Sequence, residues 1–242
     1  FDGTSELLTN DVTPSDFPYA GLVLNNTRFI FGGGFNGYNS QNEFSNLYNG
    51  VICHESLLSA SGATFNNMRS GEEGVIQNHG IYFTNSFVGS FNNNFSNLGL
   101  GLHGNESSLL AQGSTFDNFA VGIEMVDCPN AIIRIKEETF SNYTGTGIAI
   151  NASPNPTELT LHDNTFTNNT FLEGNPEAIA IFESGSENFG ASIRDNFLEI
   201  AEGQFGISVN NGNRSVIRNN TINFLDIEGQ EAIWSRGINI VA

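Results

Sequence analysis

The chain has 242 residues, with 27 Gly and 21 Phe but only 2 Met and 1 Trp, poor material for long helices and good material for short strands and tight turns. Its 26 acidic residues against 8 basic ones give a formal net charge of −18, which disfavours phosphate backbones and anionic membranes as partners. No apolar run approaches the ~20 residues that a membrane-spanning helix needs.

Residues 1–20 show no regular pattern and read as a linker or partial coil. Gly21-Leu22-Val23-Leu24-Asn25 opens a recurring strand of the form glycine, apolar, any, apolar. It returns as Gly50-Val51-Ile52-Cys53, Gly122-Ile123-Glu124-Met125, Gly147-Ile148-Ala149-Ile150, Gly206-Ile207-Ser208-Val209 and Gly237-Ile238-Asn239-Ile240, with alanine leading in Ala178-Ile179-Ala180-Ile181. A second unit, Thr-Phe-x-Asn, recurs around Phe65, Phe116, Phe140 and Phe166, with looser copies at Phe44, Phe95, Leu198 and Ile222. These eight anchors are spaced by 21, 30, 21, 24, 26, 32 and 24 residues, a period in the low twenties with insertions.

Period-two alternation points every second side chain inward, so the Ile, Val and Leu positions line a core. A coil of short strands cannot bury its inner face alone, so coils stack and equivalent residues form ladders ~4.8 Å apart. The anchor phenylalanines then stack inside, the Asn two places later takes a left-handed corner, and the glycine opens the next strand after a bend. The predicted fold is all-β: a right-handed single-stranded parallel β-helix of about eight to nine coils over residues 21–242, a rod of roughly 38 Å. Cys53 and Cys128 fall about three coils apart, too far for a disulfide, and read as small buried hydrophobes. Ile238 to Ala242 stop in mid-strand with no polar cap, so the natural chain is expected to continue beyond both ends.

Over about residues 44–242 these coils resemble the right-handed parallel β-helix repeat superfamily. It includes pectate-lyase-like and polygalacturonase-like enzymes, a periplasmic carbohydrate-binding type and many secreted bacterial surface proteins. The resemblance implies the scaffold, while function sits in grafted sites. Of the polygalacturonase-like signatures only Arg134-Ile135-Lys136 is present, and Ile135 is required there by strand alternation. Without paired carboxylates, the general acid and the activated water of glycoside hydrolysis have no carriers.

Counting from the glycine of each strand places His54 and Glu55, Asn78 and His79, His103, and Val126 and Asp127 at one corner in four successive coils. Such an edge of His54, His79, His103 and Asp127 could work as acid and base, and with Glu55 it could hold a metal. The bland reading is a corner that is polar in every coil, with Asn151, Asn210 and Asn211 as later occupants. The later acidic residues, Glu173, Glu177, Glu183, Glu187, Asp195, Glu199 and Glu202, read as a solvated face or as oxygen ligands for calcium as a cofactor. Tyr143, Phe171, Phe182 and Trp234 are candidate sugar-stacking aromatics, and the arginines are too spread along the chain to make a basic patch.

The leading expectation is a structural or binding module of a secreted or cell-surface protein, a stiff rod for adhesion or contact with a polysaccharide or another cell-surface component. The first alternative is a polysaccharide lyase, hydrolase or epimerase using the histidine edge. The second is a cargo or component of a bacterial envelope assembly.

Overall fold

The computed structural model describes residues 20–32, 42–68, 78–167, 177–184, 190–200, 204–211, 214–225 and 236–241. Over these the chain forms 23 strands and no helix, so no helix among the described residues could cross a membrane. Every strand pairs in parallel with its equivalent one coil on, in unshifted register. The result is the right-handed parallel β-helix, since a parallel crossover in one sheet turns right-handed. The predicted linker over 1–20 lies outside the described residues except for Ala20, which begins the strand Ala20–Asn25.

Two sheets wrap the rod. One has eight strands, from Arg28–Phe31 and Leu57–Ser61 to Ser192–Arg194 and Val216–Arg218. The other has fifteen and carries both sequence units: Phe strands such as Thr64–Asn66 and Thr139–Ser141, and Gly strands such as Asn49–His54 and Thr146–Asn151. In Asn94–Asn105 and Thr115–Val126 one strand runs through both units, which joins them into a single sheet.

The core follows from stacking at one spacing. Val51, Ile81, Leu102, Ile123, Ile148, Ile179 and Ile207 form one inward ladder with no solvent exposure. Phe44, Phe65, Phe95, Phe116, Phe140 and Phe166 form another, with centroids 4.7–4.9 Å apart and planes within 16°. Each ring needs the glycine of the preceding rung. A Cβ at Gly101 would lie 2.5 Å from both Phe116 Cε1 and the Gly122 carbonyl oxygen. The same offset sets Ala178 against Leu198, where the stack ceases to be aromatic and a methyl group finds room.

The corners solve the problem of buried backbone donors. The predicted left-handed asparagines are found, Asn67, Asn118 and Asn142 each having φ of 53°. At a second corner Ser56, Ser86 and Ser107 relay N–H to hydroxyl bonds of 3.0 Å, and Ser107 N–H then donates to Cys128 Sγ at 3.4 Å. Cys128 is buried and unbridged as expected, but it stands in a serine's place in a polar ladder, while Cys53 lies in the core. At a third corner Asn93, Asn164, Asn196 and Asn220 each return an amide N–H to a backbone carbonyl and accept a backbone N–H from the preceding coil.

Glu138 interrupts that asparagine ladder. Its Oε2 accepts the Ser114 N–H at 2.7 Å, whereas its buried Oε1 has no hydrogen-bond partner. Burial pushes the carboxyl well above its ordinary 4.5, and the Ser114 hydrogen bond opposes this only in part. The folded chain therefore holds this proton more tightly than the unfolded chain, and stability is lost as pH rises above about 4.5.

Two outcomes are expected in thermal melts. Gly101→Ala should destabilise by about 1–3 kcal/mol through overpacking, while Gly237→Ala, whose Cβ would meet only ordinary contacts at 3.5 Å and beyond, should melt near wild type. Glu138→Gln restores an amide donor without a charge, so its melting temperature should gain on wild type increasingly as pH is raised from about 4.5 towards 8. A pH-independent difference would contradict the buried-carboxyl account.

Candidate functional site

In each Gly strand the residue between the two inward apolar positions points outward. Read down the stack, this outward row is Ile52, Tyr82, His103, Glu124 and Ala149, paired in register across successive coils. Three rows earlier on the same face, Asn49 pairs with His79 and His79 with Leu100. Neighbouring coils thus bring His79, Tyr82, His103 and Glu124 together.

The rings are close: His79 to Tyr82 at 5.4 Å, Tyr82 to His103 at 5.3 Å, and His79 to His103 edge-on at 5.2 Å between centroids. His103 Nδ1 lies 3.2 Å from Glu124 Oε2, near enough for an ion pair but without the alignment of a full hydrogen bond. Asn151 Nδ2 donates to Glu124 Oε1 at 3.4 Å. His79 is 6% exposed, and its Nδ1 lies 3.1 Å from Asn49 Oδ1. With that oxygen accepting, Nδ1 carries the proton and Nε2 keeps its lone pair.

Burial, reinforced by the neighbouring His103, lowers the His79 pKa to about 4, although Glu124 opposes the shift. The same ring of His103 holds the Glu124 carboxyl below its usual range against its own desolvation. Burial raises the Tyr82 phenol. At neutral pH the cluster therefore holds a neutral imidazole, a neutral phenol and a carboxylate beside the second imidazole. It offers donors, acceptors and ring faces, and it could also move a proton.

The structure redraws the predicted edge. Glu55 and Asp127 do occupy one corner, both with left-handed φ, but Asn85 and Glu106 stand between them, so they are three rungs apart. His54 is exposed beside that corner, its Nδ1 2.7 Å from Thr84 Oγ1 and its Nε2 3.6 Å from Glu55. His79 and His103 are elsewhere on the face. The strand glycines of their coils are Gly80 and Gly101, and counting from Gly74 and Gly99 displaced both histidines, because those segments imitate the same glycine-apolar pattern. Among the described residues no group of three or more His, Cys, Asp or Glu side chains could hold a metal ion, so His54, Glu55, His79, His103 and Asp127 do not make one ligand set. Tyr82 and Glu124 escaped the sequence reading, although each is the outward residue of an apolar-x-apolar strand.

Other candidates separate as well. Tyr143 is fully buried and stacked on Phe119 at 5.5 Å, so it cannot stack on a sugar. Phe182 is half-buried on the outward face, in register with Asn151 and Asn210. Phe171, Trp234, Glu173, Glu187 and Glu202 lie outside the described residues. Arg134 is on the eight-stranded sheet, bound through two nitrogens to Glu158 at 2.6 and 2.8 Å, with Ile135 buried behind it.

No protein-family profile matches the sequence, and no curated protein does. Among solved structures the chain is similar to the family 28 exopolygalacturonase of Yersinia enterocolitica, at 10% identity and a TM-score of 0.41 over 79% of this chain, of which it spans 46%. It is also similar to a periplasmic alginate epimerase, AlgG, solved as a point mutant, at 11% identity and 0.39 over 93% of this chain and 70% of that one. A third is PfbA, a surface adhesin of Streptococcus pneumoniae, at 13% identity and 0.23 over 90% and 78% of the two chains.

The buried neutral imidazole has a thermodynamic signature. A folded-state pKa of about 4 against 6.5 unfolded means that the unfolded chain binds the proton first, so the contribution of His79 is present above pH 6.5 and is lost as pH falls towards 4. The stability gap between wild type and His79→Gln should shrink by roughly 3 kcal/mol over that interval. In NMR titration the His79 ring should change near pH 4; a midpoint near 6.5 would refute the assignment.

Proposed function

We propose that this chain is a glycan-contacting β-helix module of a secreted or cell-surface protein, binding a polysaccharide along the outward face of its Gly strands at Tyr82, His103 and Glu124. One observation carries the reading: a ring, an imidazole and a carboxylate stand in register on three successive rungs. Their ~4.8 Å spacing is comparable to the length of one sugar unit in an extended chain. Tyr82 offers a face for a pyranose ring, and His103, Glu124 and Asn151 offer hydrogen-bonding edges for hydroxyl groups. A stiff stack of coils presents such a row without further ordering cost. The location outside the cytoplasm follows from this choice of partner.

A second reading is favoured by one feature. His79, neutral and with a free Nε2, lies beside Tyr82 and His103, an arrangement suited to proton transfer in a lyase or epimerase. Its 6% exposure leaves little of the base open to a substrate, so binding ranks first.

The test is to titrate a polysaccharide panel while following new reducing ends and unsaturated uronate. Saturable binding without turnover, weakened about tenfold or more, about 1.4 kcal/mol, in Tyr82→Ala and His103→Ala at unchanged melting temperature, supports the module. Turnover that disappears in His79→Ala would replace it with the catalytic reading. Absence of both binding and turnover across the panel would remove both.

A further inference from the structure

Among the residues whose side chains are described, the cations and the Gly-strand carboxylates are sorted by face. On the Gly-strand face the outward charged residues are the carboxylates Glu124 and Glu177. The corner immediately beyond adds Glu55, Glu106, Asp127 and Glu183, all with left-handed φ of 46–49° that holds them at the turn. Among the residues whose side chains are described, no Lys or Arg lies on a Gly strand.

Most of the cations whose side chains are described, Arg28, Arg134, Lys136, Arg194 and Arg218, are on the eight-stranded sheet instead. Lys136, His162, Arg194 and Arg218 are in register on four successive rungs, with Arg134 in the neighbouring outward row. The spacing that makes Lys136, His162, Arg194 and Arg218 look scattered in sequence is the spacing of the coils. These cations are largely spoken for: Lys136 pairs with Glu137 at 3.6 Å, His162 with Asp163 at 2.7 Å, Arg194 with Asp195 at 3.2 Å and Arg134 with Glu158 at 2.6 Å. None faces the Tyr82–His103–Glu124 row.

From this segregation we infer that the Gly-strand face selects uncharged glycans and turns away chains that carry uronate groups, an inference that rests on the glycan reading above. A sugar lying along the row places its substituents about one rung from Glu124, and a carboxylate there meets a like charge with no cation to offset it. Hydroxyl groups meet no such penalty, because His103 and Glu124 supply both a donor and an acceptor. The corner carboxylates deepen the repulsion at low salt, where the Debye length is ~30 Å at 0.01 M.

The experiment compares wild-type binding of cellohexaose, xylohexaose and mannohexaose with hexagalacturonate and an alginate oligomer, with EDTA present so that no divalent cation bridges carboxylates. In about 0.01 M salt at least one neutral oligomer should bind about tenfold or more tighter than either uronate oligomer, and the gap should close towards 1 M salt as screening shortens to ~3 Å. Glu124→Gln should narrow the gap at low salt, and the salt series on wild type stands on its own if that variant folds poorly. Uronate binding equal to or tighter than neutral binding at low salt would overturn the selectivity while leaving the glycan reading intact. Failure of every oligomer and every polymer of the panel to bind would overturn the glycan reading itself.

Discussion

In-register parallel hydrogen bonding is the constraint on which the rest of this molecule depends. It sets each residue on its equivalent in the next coil at ~4.8 Å, so a side chain is chosen for its neighbours above and below as much as for its own strand. Six phenylalanines can stack only because a glycine stands before each ring. Where Ala178 replaces the glycine, Leu198 replaces the ring, and the two changes are one packing solution.

The same repetition turns the corners into relays. A left-handed corner exposes a backbone N–H to the interior at every coil, and an unmet donor there costs about 1–3 kcal/mol. Serine and asparagine side chains meet it coil after coil. The departures show what the position demands: Cys128 serves because sulfur accepts weakly, and Glu138 serves with one oxygen while the other is stranded without a partner. A scaffold satisfied in this way is rigid, which lets an outward row hold fixed spacing.

Outward rows are free of packing duty, and there chemistry can collect. Each Gly-strand coil contributes a single residue to the Tyr82, His103 and Glu124 row, so no contiguous motif marks the site. The electrostatics follow the same logic. Ladders gather like residues, and the described cations and the carboxylates of the site have gathered on different faces. Net charge alone describes neither face.

The amino-acid sequence by itself determined the fold class, the coil period, the inward alternation, the phenylalanine stack and the left-handed asparagine corners, because each depends on residues close in sequence and is repeated often enough to be read. Only the tertiary structure decided which outward residues meet. Insertions fall on both sides of the Gly strand: the anchor-to-glycine distance is 6 residues from Phe95 to Gly101 but 15 from Phe65 to Gly80, and the glycine-to-anchor distance is 15 from Gly101 to Phe116 but 19 from Gly147 to Phe166, so counting cannot carry the register across them. The insertion before Gly80 and the imitating glycines Gly74 and Gly99 displace His79 and His103 in a count along the chain, Tyr82 and Glu124 belong to no contiguous motif, and Tyr143 lies in the core rather than on the surface. The cation row was legible in principle, since Lys136, His162, Arg194 and Arg218 each precede an anchor by 4 residues. That stretch carries no insertions, so sequence spacing and spatial register coincide there.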